Sequence, residues 1–184
     1  MRIAHVINPY DDLQEEKSIQ KITFESLKRA KEFSLNTNNS ISILSAQHAK
    51  DIHVVPDYIE PLPNLNRTVC DVVPFKQKRE LPLLADILQL AVDGCDADYI
   101  IYTNVDIGVL PQFYVTVMEF IESGLDAFII NRRRLSGNYE SVKELNQIYS
   151  EVGLLHNGFD CFVFKKDLFS QFQLGTVCLG IPHV

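Results

Sequence analysis

The chain has 184 residues, 46% of them apolar and 22% charged, and its net charge is −7. That size and balance suit one globular domain and exclude a disordered chain, a collagenous repeat and a coiled coil. No apolar run approaches the roughly 20 residues of a membrane helix, and 24 acidic against 17 basic residues give no general pull toward nucleic acid or anionic lipid.

Residues 2–7 read as a short buried strand closed by Asn8-Pro9. The polar residues after it leave no room for a signal peptide, so a cytoplasmic protein is expected. A helical pattern follows over 18–33, through Ile19, Ile22, Leu27, Ala30 and Phe33, with Lys28, Arg29 and Lys31 near its end, where cations suit the helix dipole. After a polar break at 36–40, residues 41–44 form a second strand and 53–55 a third. Residues 56–79, with Pro56, Pro61, Pro63 and Pro74, form an extended loop with room for one short strand. A second helix spans 81–93: Pro82 suits its first turn and Gly94 its stop, and Leu83, Leu84, Ile87, Leu88 and Ala91 make its apolar face.

Residues 97–105 then run through Tyr99-Ile100-Ile101-Tyr102, a continuous apolar strand of the kind buried on both faces. A helix over 111–123 opens at Pro111 and ends at Gly124. Residues 126–131 form another buried strand, 140–150 a helix and 161–164 a further strand. The order β-α-β-β-loop-α-β-α-β-α-β predicts an α/β three-layer sandwich with a mostly parallel sheet. Cys70, Cys95, Cys161 and Cys178 are scattered without a C-x-x-C pair, so buried free thiols are expected rather than a metal cluster or disulfides.

Three segments carry candidate chemistry. The strand Asp98-Tyr99-Ile100-Ile101-Tyr102-Thr103-Asn104-Val105-Asp106 ends in two polar groups at i and i+2, on one face of an extended chain. Ligands of open α/β sheets bind beyond the carboxyl ends of the strands. An Asp there can hold a divalent cation against phosphate oxygens, and an Asn can offer its carbonyl. The other assignment has Asp106 capping the turn before Pro111. In His156-Asn157-Gly158-Phe159-Asp160, Asp160 is a candidate general base and His156 a ligand or hydrogen-bond donor; a plain turn with Gly158 at its tip also fits. Arg132-Arg133-Arg134, after the strand 126–131, would clamp a diphosphate or form a solvated face. Lys78-Arg79 carries the same two readings. His183, close to the last residue, is a further metal candidate.

Several chemistries lack their motifs. There is no G-x-x-x-x-G-K-[ST], no G-x-G-x-x-G after the first strand, no G-x-S-x-G and no H-E-x-x-H.

The segment 98–106 resembles the strand and D-x-D-type motif of the nucleotide-diphospho-sugar transferases, the GT-A fold glycosyltransferases. From Arg2-Ile3-Ala4-His5-Val6-Ile7-Asn8-Pro9 onward the chain also looks like a group of bacterial proteins placed near them. The resemblance implies a GT-A, Rossmann-like domain that takes a nucleotide-sugar donor and a hydroxyl acceptor with Mg²⁺ or Mn²⁺. Asp106 matches the second acid of the motif, and Asn104 stands where the first acid usually lies. The resemblance implies that Asn104 and Asp106 hold the metal and the donor. Arg132 and Arg133 were read above as a clamp on the diphosphate, and Asp160 matches the acceptor-side acid or base. Enzymes of this fold usually continue past a position like 180–184, so either a minimal member or a chain lacking a C-terminal portion is expected. A non-catalytic relative that binds a sugar or a partner is the alternative. A nucleotidyltransferase fits less well, because residues 8–17 hold no glycine.

Overall fold

A computed structural model describes residues 1–11, 19–36, 39–74 and 80–179. Its first strand, β1 (Arg2–Ile7), has only its first residue exposed. Helix α1 (Ile19–Phe33) follows and buries Ile22, Leu27 and Ala30. Then come β2 (Ser40–Ser45) and β3 (Glu60–Pro61), α2 (Leu84–Gly94), β4 (Tyr99–Thr103) and α3 (Phe113–Glu122). The last part holds β5 (Ala127–Ile129), β6 (Arg133–Arg134), α4 (Leu145–Ser150), β7 (Leu154–Leu155) and β8 (Cys161–Lys165).

The main sheet has the order β3-β2-β1-β4-β8-β5. β3, β2, β1 and β4 are mutually parallel. β8 is antiparallel to both β4 and β5, which makes β5 parallel to β4. The sheet is therefore mostly parallel with one reversed strand inside it. Strand alternation divides the core. Ile3, Ile7, Ile101 and Val163 face α1 and α3, where Leu27, Tyr114 and Val117 meet them. Ala4, Val6, Ile100, Tyr102 and Phe164 face α2, whose Leu84, Ile87, Leu88 and Ala91 recur at helical spacing. The layering is helix, sheet, helix. Full burial of a side chain such as Ile101 or Ile87 is worth about 1.5–3 kcal/mol. Among the described residues no helix is long and apolar enough to cross a membrane.

Several expectations change. The strand expected at 53–55 falls on the end of a 3-10 segment, Ala49–Val54, and its extended cap Val55, while the third strand is Glu60–Pro61, within the 56–79 loop. Asp51 is buried there and its Oδ1 accepts the Asp11 N–H at 3.0 Å, a side-chain anchor that suits a turn. The strand expected to be buried at 126–131 shortens to Ala127–Ile129 and lies at the sheet edge with two of three residues exposed. The helix expected over 140–150 is a 3-10 turn, Val142–Glu144, followed by α4. Ser141 and Glu144 form a reciprocal capping box at its start. All four cysteines are free, but only Cys161 is buried; the other three are half-buried. The small β6–β7 sheet is an addition that two-residue strands gave no pattern to foresee.

One buried polar group braces the sheet. His5 Nδ1 lies 2.9 Å from the Tyr114 hydroxyl, and Nε2 lies 2.8 Å from Thr103 Oγ1. Burial pushes the His5 pKa down to about 3, so the ring stays neutral. This joins β1, α3 and the last residue of β4.

Candidate functional site

β4 ends at Thr103, and the following turn is closed by the Ile107 N–H on the Asn104 carbonyl at 3.1 Å. Ser26 Oγ on α1 accepts the Val109 N–H at 3.0 Å and fixes the exit of that turn. In the β4–β8 register Thr103 pairs with Cys161. Because the strands are antiparallel, the residue after Thr103 meets the residue before Cys161. Asn104 Nδ2 accordingly donates to Asp160 Oδ1 at 3.1 Å, across a separation of 56 residues.

Tyr102 completes this arrangement, since its hydroxyl donates to Asn104 Oδ1 at 2.7 Å. Burial first, then the charges of Asp106 and Asp160, raise the Tyr102 pKa, so the hydroxyl keeps its proton. An ionised carboxylate only accepts, so the amide must turn its NH₂ to Asp160 and its oxygen to Tyr102. The orientation of Asn104 is thus fixed from both sides.

β5 brings the third segment. Ile129 pairs with Phe162, and the Ile130 N–H bonds the Cys161 carbonyl at 3.1 Å, which carries the chain on toward Asp160. Arg132 Nε lies 2.8 Å from Asp160 Oδ2, and Nη1 lies 4.0 Å from Asp106 Oδ2. The guanidinium stands between the two carboxylates. Its Nε–H is directed at His156 Nδ1 at 3.3 Å, so Asp160 Oδ2 is in ion-pair contact yet receives no directed hydrogen bond. That oxygen is buried against the guanidinium. His156 Nδ1 also accepts the Gly158 N–H at 2.8 Å. In the neutral ring the proton is then on Nε2, and the 3.2 Å approach of Arg132 Nη2 sets two donors side by side rather than making a hydrogen bond. Gly158 is required by closeness: a Cβ there would lie 2.7 Å from the His156 ring and 3.0 Å from Asp160 Oδ2.

Asn104, Asp106, Arg132, His156 and Asp160 therefore converge, drawn from three segments far apart in sequence. Arg133 and Arg134 do not join them; they form β6, exposed, against Leu154 and Leu155. Lys78, Arg79 and His183 lie outside the described residues. Tyr102 had no assigned role from sequence, although its spacing of two from Asn104 put it on the same face.

The fit to a divalent ion rests on Asp106. Its side chain is 51% exposed and offers a hard oxygen donor. Mg²⁺ is commonly held through one or two carboxylates and substrate phosphates, so one such group suits a metal that arrives with a diphosphate. Asn104 fits less well, since its carbonyl oxygen already accepts from Tyr102. Among the described residues no group of three or more His, Cys, Asp or Glu is placed to hold a metal.

No family model matches the chain, and no curated protein sequence matches it. Solved structures do. S. aureus TarS, residues 1–349, in complex with UDP-GlcNAc, superposes with a TM-score of 0.54 at 10% identity, over 93% of this chain and 47% of that one. M. tuberculosis glucosyl-3-phosphoglycerate synthase gives 0.51 at 12% identity, over 91% and 58%. The 4-diphosphocytidyl-2C-methyl-D-erythritol synthase of Anaerococcus prevotii gives 0.51 at 9%, over 92% and 74%. The chain spans about half the length of that TarS 1–349 chain. The likeness is one of fold: the chain has the GT-A, Rossmann-like α/β architecture of these transferases.

Proposed function

We propose that the chain is a glycosyltransferase that moves a sugar from a nucleotide-diphosphate donor to an acceptor hydroxyl. The observation that carries this reading is the convergence of Asn104, Asp106, Arg132 and Asp160 at the carboxyl end of β4, where open α/β sheets bind ligands. The fold shared with transferases of nucleotide-linked substrates supports it.

Each group has a role in this reading. The Asp160 carboxylate, held by Arg132 and Asn104, accepts the proton of the acceptor hydroxyl as its oxygen attacks the anomeric carbon. The new C–O bond forms while the bond from that carbon to the diphosphate oxygen breaks, and the nucleoside diphosphate leaves with the electron pair. Asn104 orients Asp160 through its NH₂ and is itself held by Tyr102. Arg132 holds Asp160 from the other side and presents positive charge toward the departing diphosphate. Asp106 is the residue that would hold Mg²⁺ or Mn²⁺, and the ion would offset charge on the leaving group. Arg133 stands farther off, on the rim, and is assigned no direct contact with the reacting atoms.

The test is a thermal-shift titration with UDP, GDP and CDP, each with and without Mn²⁺, followed by assay of sugar-nucleotide turnover. A ligand that binds only the native state raises the midpoint by mass action. A shift with one diphosphate, strengthened by Mn²⁺ and losing that strengthening in Asp106→Ala, supports the reading. Binding without hydrolysis or transfer would instead leave a non-catalytic sugar-nucleotide-binding protein. A Mn²⁺ effect that survives Asp106→Ala would remove the metal assignment.

A further inference from the structure

A cavity of about 910 Å³ opens beside the cluster. Asp106, Arg132 and Asp160 border it, so it is continuous with the atoms assigned to the reaction. Its size falls within the range of small-molecule sites, about 300–1,000 Å³. Much of the rest of its wall is apolar, with Ile22 of α1, Phe113 and Phe120 of α3, and Ile148 and Val152 on and just after α4, interspersed with polar groups such as Thr23, Asn131 and Tyr139. Phe120 is 40% exposed and Val152 77%. A sugar or other polyol could use the polar groups, but each hydroxyl set against the apolar side chains would lose water without gaining a partner. An apolar body would instead release water from these side chains.

The rim is also fixed in advance. Glu151 Oε1 accepts the Ser136 N–H at 2.6 Å and the Ser136 hydroxyl at 2.7 Å, and Oε2 accepts the Tyr139 hydroxyl at 2.6 Å. These donors hold the Glu151 carboxyl down to about 2. The loop before α4 is thereby tied to the residue after it, and both line the cavity. A site ordered before its ligand arrives loses less entropy on binding.

We propose that this cavity is the acceptor site and that the acceptor is an amphiphile, a hydroxyl carried on an extended apolar body. The proposal rests on the glycosyltransferase reading for the role of Asp160, and it adds the chemical class of the acceptor. The hydroxyl lies against Asp160, and the body runs between α3 and α4.

Straight-chain alcohols test it on the full chain. Hexanol, octanol and decanol are titrated against a fluorescent naphthalene-sulfonate probe, with glycerol as the polar control. The expected result is displacement at one saturable site, with affinity rising about fourfold per added methylene until the cavity is filled. Val152→Arg and Phe120→Gln should each weaken decanol at least tenfold while leaving the nucleoside diphosphate shift unchanged. Leu35→Asp, a change at an exposed apolar residue outside the cavity, should leave both decanol affinity and the diphosphate shift unchanged. A flat response along the alcohol series overturns the proposal, as does decanol binding that ignores both cavity variants. Self-association of the chain that Val152→Arg abolishes, with no saturable alcohol site, also overturns it, because the occupant is then a second copy. Failure of the glycosyltransferase reading looks different: decanol binds as expected and no nucleoside diphosphate shifts the melting midpoint.

Discussion

The middle of the main sheet and its β5 edge are built to different rules. In β1 and β4 nearly every residue is buried, and β4 is buried along all five positions. At the edge, β5 exposes Ala127 and Ile129, and the separate β6–β7 pair leaves Leu154 and Leu155 at 68% and 78% exposure. The first region spends its apolar residues on the core between α1, α2 and α3. The second leaves them on the surface beside the reactive cluster. Stability is concentrated on one side and ligand-accessible apolar surface on the other, so mutations in the two regions should fail differently.

The sharpest break of that contrast is Asp160→Asn. Loss of a general base typically costs about 10²–10⁴-fold in rate, so transfer should collapse while the melting midpoint and the diphosphate shift persist. A core change should do the reverse. Ile101→Ala removes a fully buried side chain and should cost about 2–5 kcal/mol in chemical denaturation. Acid should probe the core through His5. Its pKa falls from an ordinary 6.5 to about 3 on folding, so the unfolded chain binds the extra proton between those values. The contribution is complete above about pH 6.5 and is lost as pH falls through that window, by about 2 kcal/mol at pH 5. In His5→Gln the acid sensitivity of the unfolding midpoint should diminish; an unchanged slope would remove His5 as its source.

Smaller effects sharpen the site. Asn104→Asp puts a second carboxylate against Asp160 and removes its donor. With the base no longer oriented by that donor, transfer should fall about tenfold while the diphosphate shift is kept. Transfer at the parent's rate would leave Asn104 without a role in orienting Asp160. Leu155→Ala, at an exposed position, should change stability by less than about 0.5 kcal/mol. A larger loss would mean that the hairpin belongs to the core after all.

Much of this was legible in sequence because hydrophobic runs report burial. The stretch 99–102 announced an interior strand, and the polar residues after it marked where that strand ends. The spacing of Leu84, Ile87, Leu88 and Ala91 announced one face of α2. Direction was not legible. Cys161-Phe162-Val163-Phe164 reads the same whether the strand runs with its neighbours or against them, yet only the antiparallel course sets Asp160 opposite Asn104. The three arginines likewise look alike in sequence. The β5–β8 register sends Arg132 to Asp160, and the β6–β7 pairing takes Arg133 and Arg134 away. Two-residue strands and 3-10 turns carry too little periodicity to be seen at all.

The placement of β8 also sets an order of events in time. It is the last strand of the sheet in the chain, yet it sits between β4 and β5. A nascent chain emerging from its amino end makes β4 and β5 first, and these two cannot pair across the empty lane. Their facing edges stay open until residues 161–165 have emerged and slid between them, a contact of long sequence separation and slow closure. Asp160 rides on that final strand. The step that seals the sheet is therefore the step that sets Asp160 against Asn104, and a polypeptide whose synthesis has not passed β8 has neither.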